Sequence, residues 1–194
     1  MRTFIKTQLW PAVAILLMFT VITGLAYPAA VTAAAQVVFP SQANGSMITV
    51  NGATVGASLI GQAFDDPKYF SGRPSAAGAS GYDPTSSGGT NLASTSKALI
   101  DAITARVDAE RAANGKGTVP IELVTSSASG LDPDISPAAA EYQVARVAKA
   151  RGLTEDAVRA VVARHTSGAV LWGILGPATV HVVELNLDLD GLLQ

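Results

Sequence analysis

Leu9 to Tyr27 reads LWPAVAILLMFTVITGLAY, interrupted only by Pro11, Thr20, Thr23 and Gly24. No Asp, Glu, Lys or Arg stands between Lys6 and Asp65. A helix of roughly 20 apolar residues crosses about 30 Å of hydrocarbon, and this run has that length. Pro11 falls in the expected first turn, where its missing N–H is harmless. Trp10 and Tyr27 stand at the two ends, where amphipathic rings favour the headgroup region. The competing reading is a cleaved secretory signal, with Arg2 and Lys6 at its charged start and Ala33-Ala34-Ala35 as a cleavage pattern. The apolar run is longer than such a signal's core of roughly 7–15 residues, which favours a retained anchor. Under both readings Arg2 and Lys6 stay inside and the remainder is delivered outside. The expected division is a cytoplasmic N-terminus at 1–8, a transmembrane helix at 9–31, a linker at 32–45 and an extracytoplasmic α/β domain at 46–194. The fold class is therefore α+β, one N-terminal span followed by a small mixed domain.

That anchor accounts for the unusual composition. Hydrophobic residues make up 48% of the 194 and the mean hydropathy is +0.33, high for a soluble chain. Setting Arg2 and Lys6 aside from the 13 basic residues leaves 11 against 15 acidic ones, a net charge of −4. Such a balance argues against nucleic-acid binding, which needs clustered Lys and Arg. With no cysteine there is no disulfide, thiolate or Cys–metal chemistry. His165 and His181 lie on apolar-patterned segments and are read as structural rather than as metal ligands.

Beyond the polar link Ser41–Gly45, Met47-Ile48-Thr49-Val50 meets Asn51-Gly52, a type I′ hairpin signal, and Ala53-Thr54-Val55 supplies the return strand. Ala57–Phe64 reads as a brief helix or strand. Residues 65–95 show neither helical nor strand period, and a connection that long should be functional or disordered. Tyr69, Phe70, Tyr82 and Leu92 give it apolar anchors, so an ordered surface excursion is expected. Ser96–Asn114 has helical spacing at Leu99, Ile100, Ile103 and Val107, with Gly115 as the stop. Val119–Thr125 is β-rich, with Pro120 at an edge or strand start. Ser136 caps a second helix with Pro137 at its first position and Gly152 at its end. Thr154 caps a third, with Glu155 and Asp156 favouring the dipole. Thr179–Leu189 alternates as a half-buried strand.

Self-sufficient chemistry is hard to find. A phosphate-cradling G-x-x-x-x-G-K-[ST] loop is missing, and Gly115-Lys116-Gly117-Thr118 follows a helix rather than a strand. Thr54-Val55-Gly56 echoes a potassium selectivity filter without its following Tyr-Gly. Ser94-Thr95-Ser96-Lys97 matches S-x-x-K, so an anchored serine acyl-enzyme using Ser94 and Lys97 is the alternative function. Its partner motifs S-D-N and K-T-G are missing. A signal-bearing soluble binding protein is a third reading. Asp132 and Asp134 could pair for acid–base work, but turn and capping chemistry is the better account.

Three separated motifs carry a resemblance. Gly61-Gln62-Ala63-Phe64 is followed by Tyr69-Phe70-Ser71-Gly72-Arg73-Pro74-Ser75-Ala76; Gly89-Thr90-Asn91-Leu92 comes next; and 125–152 reads TSSASGLDPDISPAAAEYQVARVAKARG. In this order the chain resembles the C subunits of bacterial Kdp potassium-transporting ATPases, from the membrane helix nearly to the C-terminus. Ala93–Ser96 departs from the usual G-P-S/T-N, Ala128 stands where glycine is usual, and His181 stands where Asn is common.

The resemblance implies a non-catalytic accessory subunit of a high-affinity, ATP-driven potassium uptake pump in the bacterial inner membrane. Its implied partners are a channel-like potassium subunit, a P-type ATPase subunit and a small single-helix peptide, besides membrane lipid. The implied role is a catalytic chaperone that raises the ATPase subunit's affinity for ATP, with the outer domain over the channel subunit's mouth. ATP and potassium would act at the level of the complex, with no cofactor bound tightly and no metal ligand set here. Gln62 would be the family's proposed nucleotide contact, although the anchor's orientation puts it outside, where ATP is scarce, and favours a structural amide. Tyr69, Phe70, Gly72, Arg73, Pro74, Asn91 and Asp132 would serve partner binding or the structure of the motif. Arg73, Asp83 and the Asp132 turn are expected to fix the 65–95 excursion, which docks onto the channel subunit.

Overall fold

The computed structural model describes residues 2–168 and 176–192 and divides into two compact units, Met1–Met47 and Ile48–Gln194. The last residues expected in the outer domain, together with 169–175, lie outside the described residues.

In the first unit one helix, α1 (Ile5–Val38), contains the whole apolar run, and its most apolar stretch is unburied. At 1.5 Å per residue it is about 51 Å long, well beyond the roughly 30 Å of a hydrocarbon layer. Pro11 lies inside it rather than in the first turn, and so does Pro28. Each proline is preceded by five residues of wider π-helical turn, Ile5–Leu9 and Ile22–Ala26. There the amides of Trp10 and Tyr27 bond to the carbonyls of Ile5 and Ile22, five residues back. Proline clashes with the carbonyl four residues before it and offers no N–H; a widened turn relieves both. The hydroxyls of Thr20 and Thr23 donate to Leu16 and Phe19 carbonyls at 2.8 and 2.7 Å, so these two polar groups are satisfied within the helix. The link after α1 is ordered. A helical turn, Pro40–Ala43, is closed by reciprocal amide bonds between Gln36 and Asn44 at 3.2 and 3.0 Å.

The second unit opens on the expected hairpin, β1 (Met47–Val50) and β2 (Ala53–Ala57), turning at Asn51 and Gly52 with φ of 50° and 79°. Both signs are those a type I′ turn demands. Helix α2 (Lys97–Asn114) follows Ser96. Helix α3 (Pro137–Arg151) has Ser136 Oγ accepting from the Ala139 amide at 3.2 Å and ends on left-handed Gly152. Helix α4 (Glu155–Arg164) has Thr154 Oγ1 accepting from the Ala157 amide at 3.2 Å. A three-stranded antiparallel sheet accompanies them, with β5 (Thr179–His181) flanked by β3 (Asp134–Ile135) and β4 (Thr166–Ser167). Asp134 pairs with His181, and Val180 pairs with both Ile135 and Thr166. The core joins Val180 and Ile135 to Ala139, Ala140, Val144 and Val147 of α3 and to Val158 of α4.

Four expectations are corrected. Thr179–Leu189 is a strand only to His181; Val182–Leu189 is helix α5. Val182, Leu185, Asn186 and Leu189 also fit the i, i+3, i+4, i+7 spacing of a helix, and the first three are wholly buried. Val119–Thr125 forms a 3-10 turn, Ile121–Leu123, because Glu122 turns inward to accept from the Ser136 amide at 2.9 Å and from the Ser136 hydroxyl. Ala57–Phe64 is neither helix nor strand beyond Ala57 but a tight turn, with the Ile60 amide on the Ala57 carbonyl. Residues 65–95 hold only one 3-10 turn, Pro84–Ser86, yet they are no mere surface excursion, since Phe70 and Ala77 are fully buried.

Candidate functional site

The residues singled out from the sequence converge on one loop system built around Tyr69–Tyr82. Phe70 is the largest side chain with no exposure among the described residues, and its backbone is held by an amide from α5. Asn186 Oδ1 accepts from the Phe70 amide at 2.8 Å, and Asn186 Nδ2 donates to the Phe70 carbonyl at 2.9 Å. The next residue is treated alike from α3. Gln143 Oε1 accepts from the Ser71 amide at 2.8 Å and Gln143 Nε2 donates to the Ser71 carbonyl at 3.1 Å. Both amide side chains are buried. They do for consecutive residues what a neighbouring strand would do, satisfying backbone groups that the core cannot leave bare.

Two arginines fix the approach to this point. Arg146 spans the Pro67 and Tyr69 carbonyls, Asn114 Oδ1 and Gln143 Oε1, all between 2.7 and 2.9 Å. Burial lowers its pKa, partly countered by the charge of Glu110. Arg151 donates to the Lys68 and Leu189 carbonyls at 2.7 Å and pairs with Asp190 at 2.8 Å. The Tyr69 hydroxyl donates to the other Asp190 oxygen at 2.7 Å, and this bond to a carboxylate raises the phenol above its usual pKa.

On the far side, Arg73 Nη1 meets Asp132 at 3.1 Å and Arg73 Nη2 reaches the Ser126 carbonyl at 3.3 Å, while its buried Nε has no partner. The Tyr82 hydroxyl donates to the Arg73 carbonyl at 2.6 Å, and burial pushes that phenol up to about 12. Two glycines exist for this ring. A Cβ on Gly72 would lie 2.8 Å from the Tyr82 oxygen, and one on Gly61 would lie 2.7 Å from a ring carbon and 2.6 Å from the Asp132 carbonyl. Ser75 Oγ accepts from the Ala77 and Tyr82 amides at 3.1 and 2.7 Å and donates to the Gly130 carbonyl at 2.6 Å, stitching 75–82 to 126–131.

Between the 62–65 and 71–75 segments lies a small cavity of about 170 Å³, lined by Gln62, Phe64, Gly72, Arg73, Pro74 and Tyr82 among others. Gln62 Nε2 donates to the Val55 carbonyl of β2 at 3.0 Å, and a Cβ on Gly56 would lie 2.6 Å from that nitrogen. Its amide therefore closes the hairpin onto the 61–64 turn. Asn91 is exposed, in the left-handed region at φ 52°.

The structure thus brings together Gln62, Tyr69, Phe70, Gly72, Arg73, Pro74 and Asp132, and leaves Asn91 apart on the surface. Asp83 does not join the Arg73–Asp132 pair; its carboxylate accepts from the Thr85 amide and hydroxyl at 2.9 and 2.7 Å. Residues that sequence reasoning missed are Gln143, Asn186, Arg146, Arg151, Ser75 and Tyr82's hydroxyl. One signal was available: Gln143 sits on the same stripe of α3 as Ala139, Ala140, Val144 and Val147, where a buried amide must have a purpose.

The arrangement offers hydrogen bonding and packing rather than a nucleophile with a base. Lys97 is 86% exposed, and its ammonium holds both oxygens of Asp101 at 2.7 and 2.8 Å. A nucleophile and its base need to face each other in a sheltered site, and this exposed ammonium is engaged by Asp101 instead. The histidines contact carboxylates. His165 Nε2 lies 2.8 Å from Asp188; His181 Nδ1 lies 2.7 Å from Asp134 across the β3–β5 register, though off the hydrogen-bond line, and its Nε2 lies 3.2 Å from Ser167 Oγ. Among the described residues no group of three or more His, Cys, Asp or Glu could hold a metal ion.

The family model described as K+-transporting ATPase, c chain (KdpC) matches residues 9–191. Among curated proteins, the potassium-transporting ATPase KdpC subunit of Variovorax paradoxus is 56% identical over 93% of this chain and 94% of its own length. Those of Polaromonas naphthalenivorans and Sorangium cellulosum are 54% and 56% identical, covering 96% and 95% of this chain and 96% and 97% of their own lengths.

Proposed function

Because this chain belongs to the KdpC family, the c chains of potassium-transporting ATPases, we propose that it works as the anchored, non-catalytic partner of the pump's moving parts. Its relatives carry the name of a subunit of that ATPase, and an accessory subunit role follows from the membership. The finer reading is that α1 crosses the inner membrane once with the N-terminus in the cytoplasm. The second unit then stands outside, against a channel-like potassium subunit. A P-type ATPase subunit and a small single-helix peptide complete the assembly, and the chain acts as a catalytic chaperone that raises the ATPase subunit's apparent affinity for ATP.

The observation that carries this reading is the extent of the family match, which runs from the apolar helix through the last helix as one unit. A 34-residue helix whose most apolar stretch is unburied supports the anchor, and Lys6 at its start supports the orientation. Gln62 is spent on Val55, which favours a structural role for it over a nucleotide contact.

The test is to tag this chain at its C-terminus, solubilise native membranes in mild detergent and identify what co-purifies, then assay potassium-stimulated ATP hydrolysis with and without it. The proposal expects a P-type ATPase and a polytopic channel-like subunit in the eluate, and a higher apparent KM for ATP when this chain is missing. Purification as a lone chain, or an unchanged KM in its absence, would overturn it. Protease accessibility of the second unit in spheroplasts and in inverted vesicles tests the orientation independently.

A further inference from the structure

We propose that Asn51 is a site of spontaneous deamidation, set apart by its geometry from the other Asn-Gly pairs of the chain, Asn44-Gly45 and Asn114-Gly115. In this reaction the backbone nitrogen of the following residue gives its proton to solvent base and attacks the asparagine Cγ. The Cγ–Nδ2 bond breaks, ammonia leaves and a succinimide ring closes. Water then opens the ring at either carbonyl, giving aspartate or isoaspartate. A following glycine favours the attack because no Cβ obstructs it. By sequence the pairs are equivalent.

The structure separates them at both reacting groups. Asn44 has its amide fixed by Gln36 on both atoms and by the Pro40 carbonyl at 2.7 Å, and the Gly45 nitrogen donates to the Gln42 carbonyl at 3.0 Å. Asn114 donates to Glu110 Oε2 at 2.8 Å, accepts from Arg146 at 2.7 Å, and is followed by a Gly115 nitrogen bonded to the Arg111 carbonyl at 3.0 Å. In both places the side-chain amide and the attacking nitrogen are each engaged in hydrogen bonds that must break before they can react. Asn51 is exposed at the hairpin tip, and neither its side chain nor the Gly52 nitrogen makes a hydrogen bond. Nothing lies within 4 Å of where a Gly52 Cβ would stand, so the turn is open to water and base.

The products change the hairpin. Aspartate puts a negative charge into a stretch that has no ionisable Asp, Glu, Lys or Arg from Lys6 to Asp65. Isoaspartate adds a methylene to the main chain of a two-residue turn whose length sets the β1–β2 register.

The test incubates the purified full chain in detergent micelles at mildly alkaline pH. Deamidation is followed at each asparagine by the amide-to-acid mass gain in peptic peptides and by isoaspartate methyltransferase labelling. The same chain in concentrated urea is the reference. The expected result is similar conversion at the three Asn-Gly sites in urea, and in the folded chain conversion at Asn51 at least about tenfold faster than at Asn44 or Asn114. Tenfold is the rate factor of about 1.4 kcal/mol, the net worth of one hydrogen bond that must be undone. Conversion at Asn44 or Asn114 matching that at Asn51 in the folded chain would overturn the proposal. So would a folded chain in which Asn51 stays intact while the urea reference converts.

Discussion

Replacing Asn186 by leucine tests whether the buried amides hold the Tyr69–Ser75 loop in place. Asn186 is 1% exposed and serves both backbone groups of Phe70. Leucine has the same number of heavy atoms with the same branching and no polar atom, so the Phe70 N–H and carbonyl are left bare in the core. Each orphaned group costs about 1–3 kcal/mol, or about 2–6 kcal/mol for the pair. Added apolar burial returns about 1 kcal/mol, leaving an expected loss near 3 kcal/mol. For a unit of this size that lowers Tm by about 6–12 °C. The denaturant midpoint of the full chain in detergent measures it, with Trp10 and Tyr27 of the long helix replaced by leucine so that its aromatic rings do not contribute to the near-UV signal. Amide hydrogen exchange at Phe70 locates the loss. Asn186→Asp is the graded control. Its carboxylate still accepts from the Phe70 amide, but only the protonated acid can donate to the carbonyl, so this variant should regain stability as pH falls. A loss under about 1 kcal/mol for Asn186→Leu, within the range of an ordinary surface substitution, would refute the role assigned to the amide.

Arg73→Ala should cost about 1–2 kcal/mol, since the half-buried pair with Asp132 is a charge-assisted bond; complex yield should fall before K⁺/Na⁺ discrimination changes, and altered discrimination at full yield would count against a docking role for this loop. Gly61→Ala forces a methyl to within 2.6 Å of the Asp132 carbonyl and should cost about 1–3 kcal/mol by overpacking, a loss that Tyr82→Leu removes only in part because the carbonyl stays. The hydrogen bond from His165, with Arg164 beside it, holds the Asp188 carboxyl below its usual 3.8. A depressed carboxyl stabilises above its unfolded pKa and loses that contribution as pH falls through the folded one. Acid unfolding below pH 3.8 should therefore be less steep in Asp188→Asn, and an unchanged acid limb in stability curves of the two proteins would remove Asp188 from the account.

Much of the architecture was legible because its signals are local. The span follows from an uncharged apolar run, the hairpin from Asn51-Gly52, and the starts of α3 and α4 from Ser136-Pro137 and Thr154. Each is a short-range rule satisfied by neighbours in sequence. The helix Val182–Leu189 was misread because VVELNLDL satisfies period 2 and period 3.6 together, and only the supporting layer of α3 and α4 decides between them. The site was legible in its members and opaque in its wiring. Tyr69, Phe70 and Ser71 stand in one recognisable motif, whereas the side chains that hold the 67–71 backbone, Gln143, Arg146, Arg151 and Asn186, come from 72 to 116 residues away. A pairing at that separation leaves no period to read.

That wiring also bears on what the recognisable motifs are for. Phe70 has no exposure, Gly61 and Gly72 are there to admit the Tyr82 ring, and Gln62 closes a turn onto β2. The residues that make the family recognisable are thus mostly consumed in closing the second unit around a loop with almost no regular structure. A substitution among them acts on stability first, and any effect on the pump arrives through an unfolded or loosened unit. Surface positions, such as Asn91 at its left-handed tip, lack that cost. Comparing their effects on complex yield with those of Asn186→Leu at matched stability therefore separates contact with a partner from mere persistence of the fold.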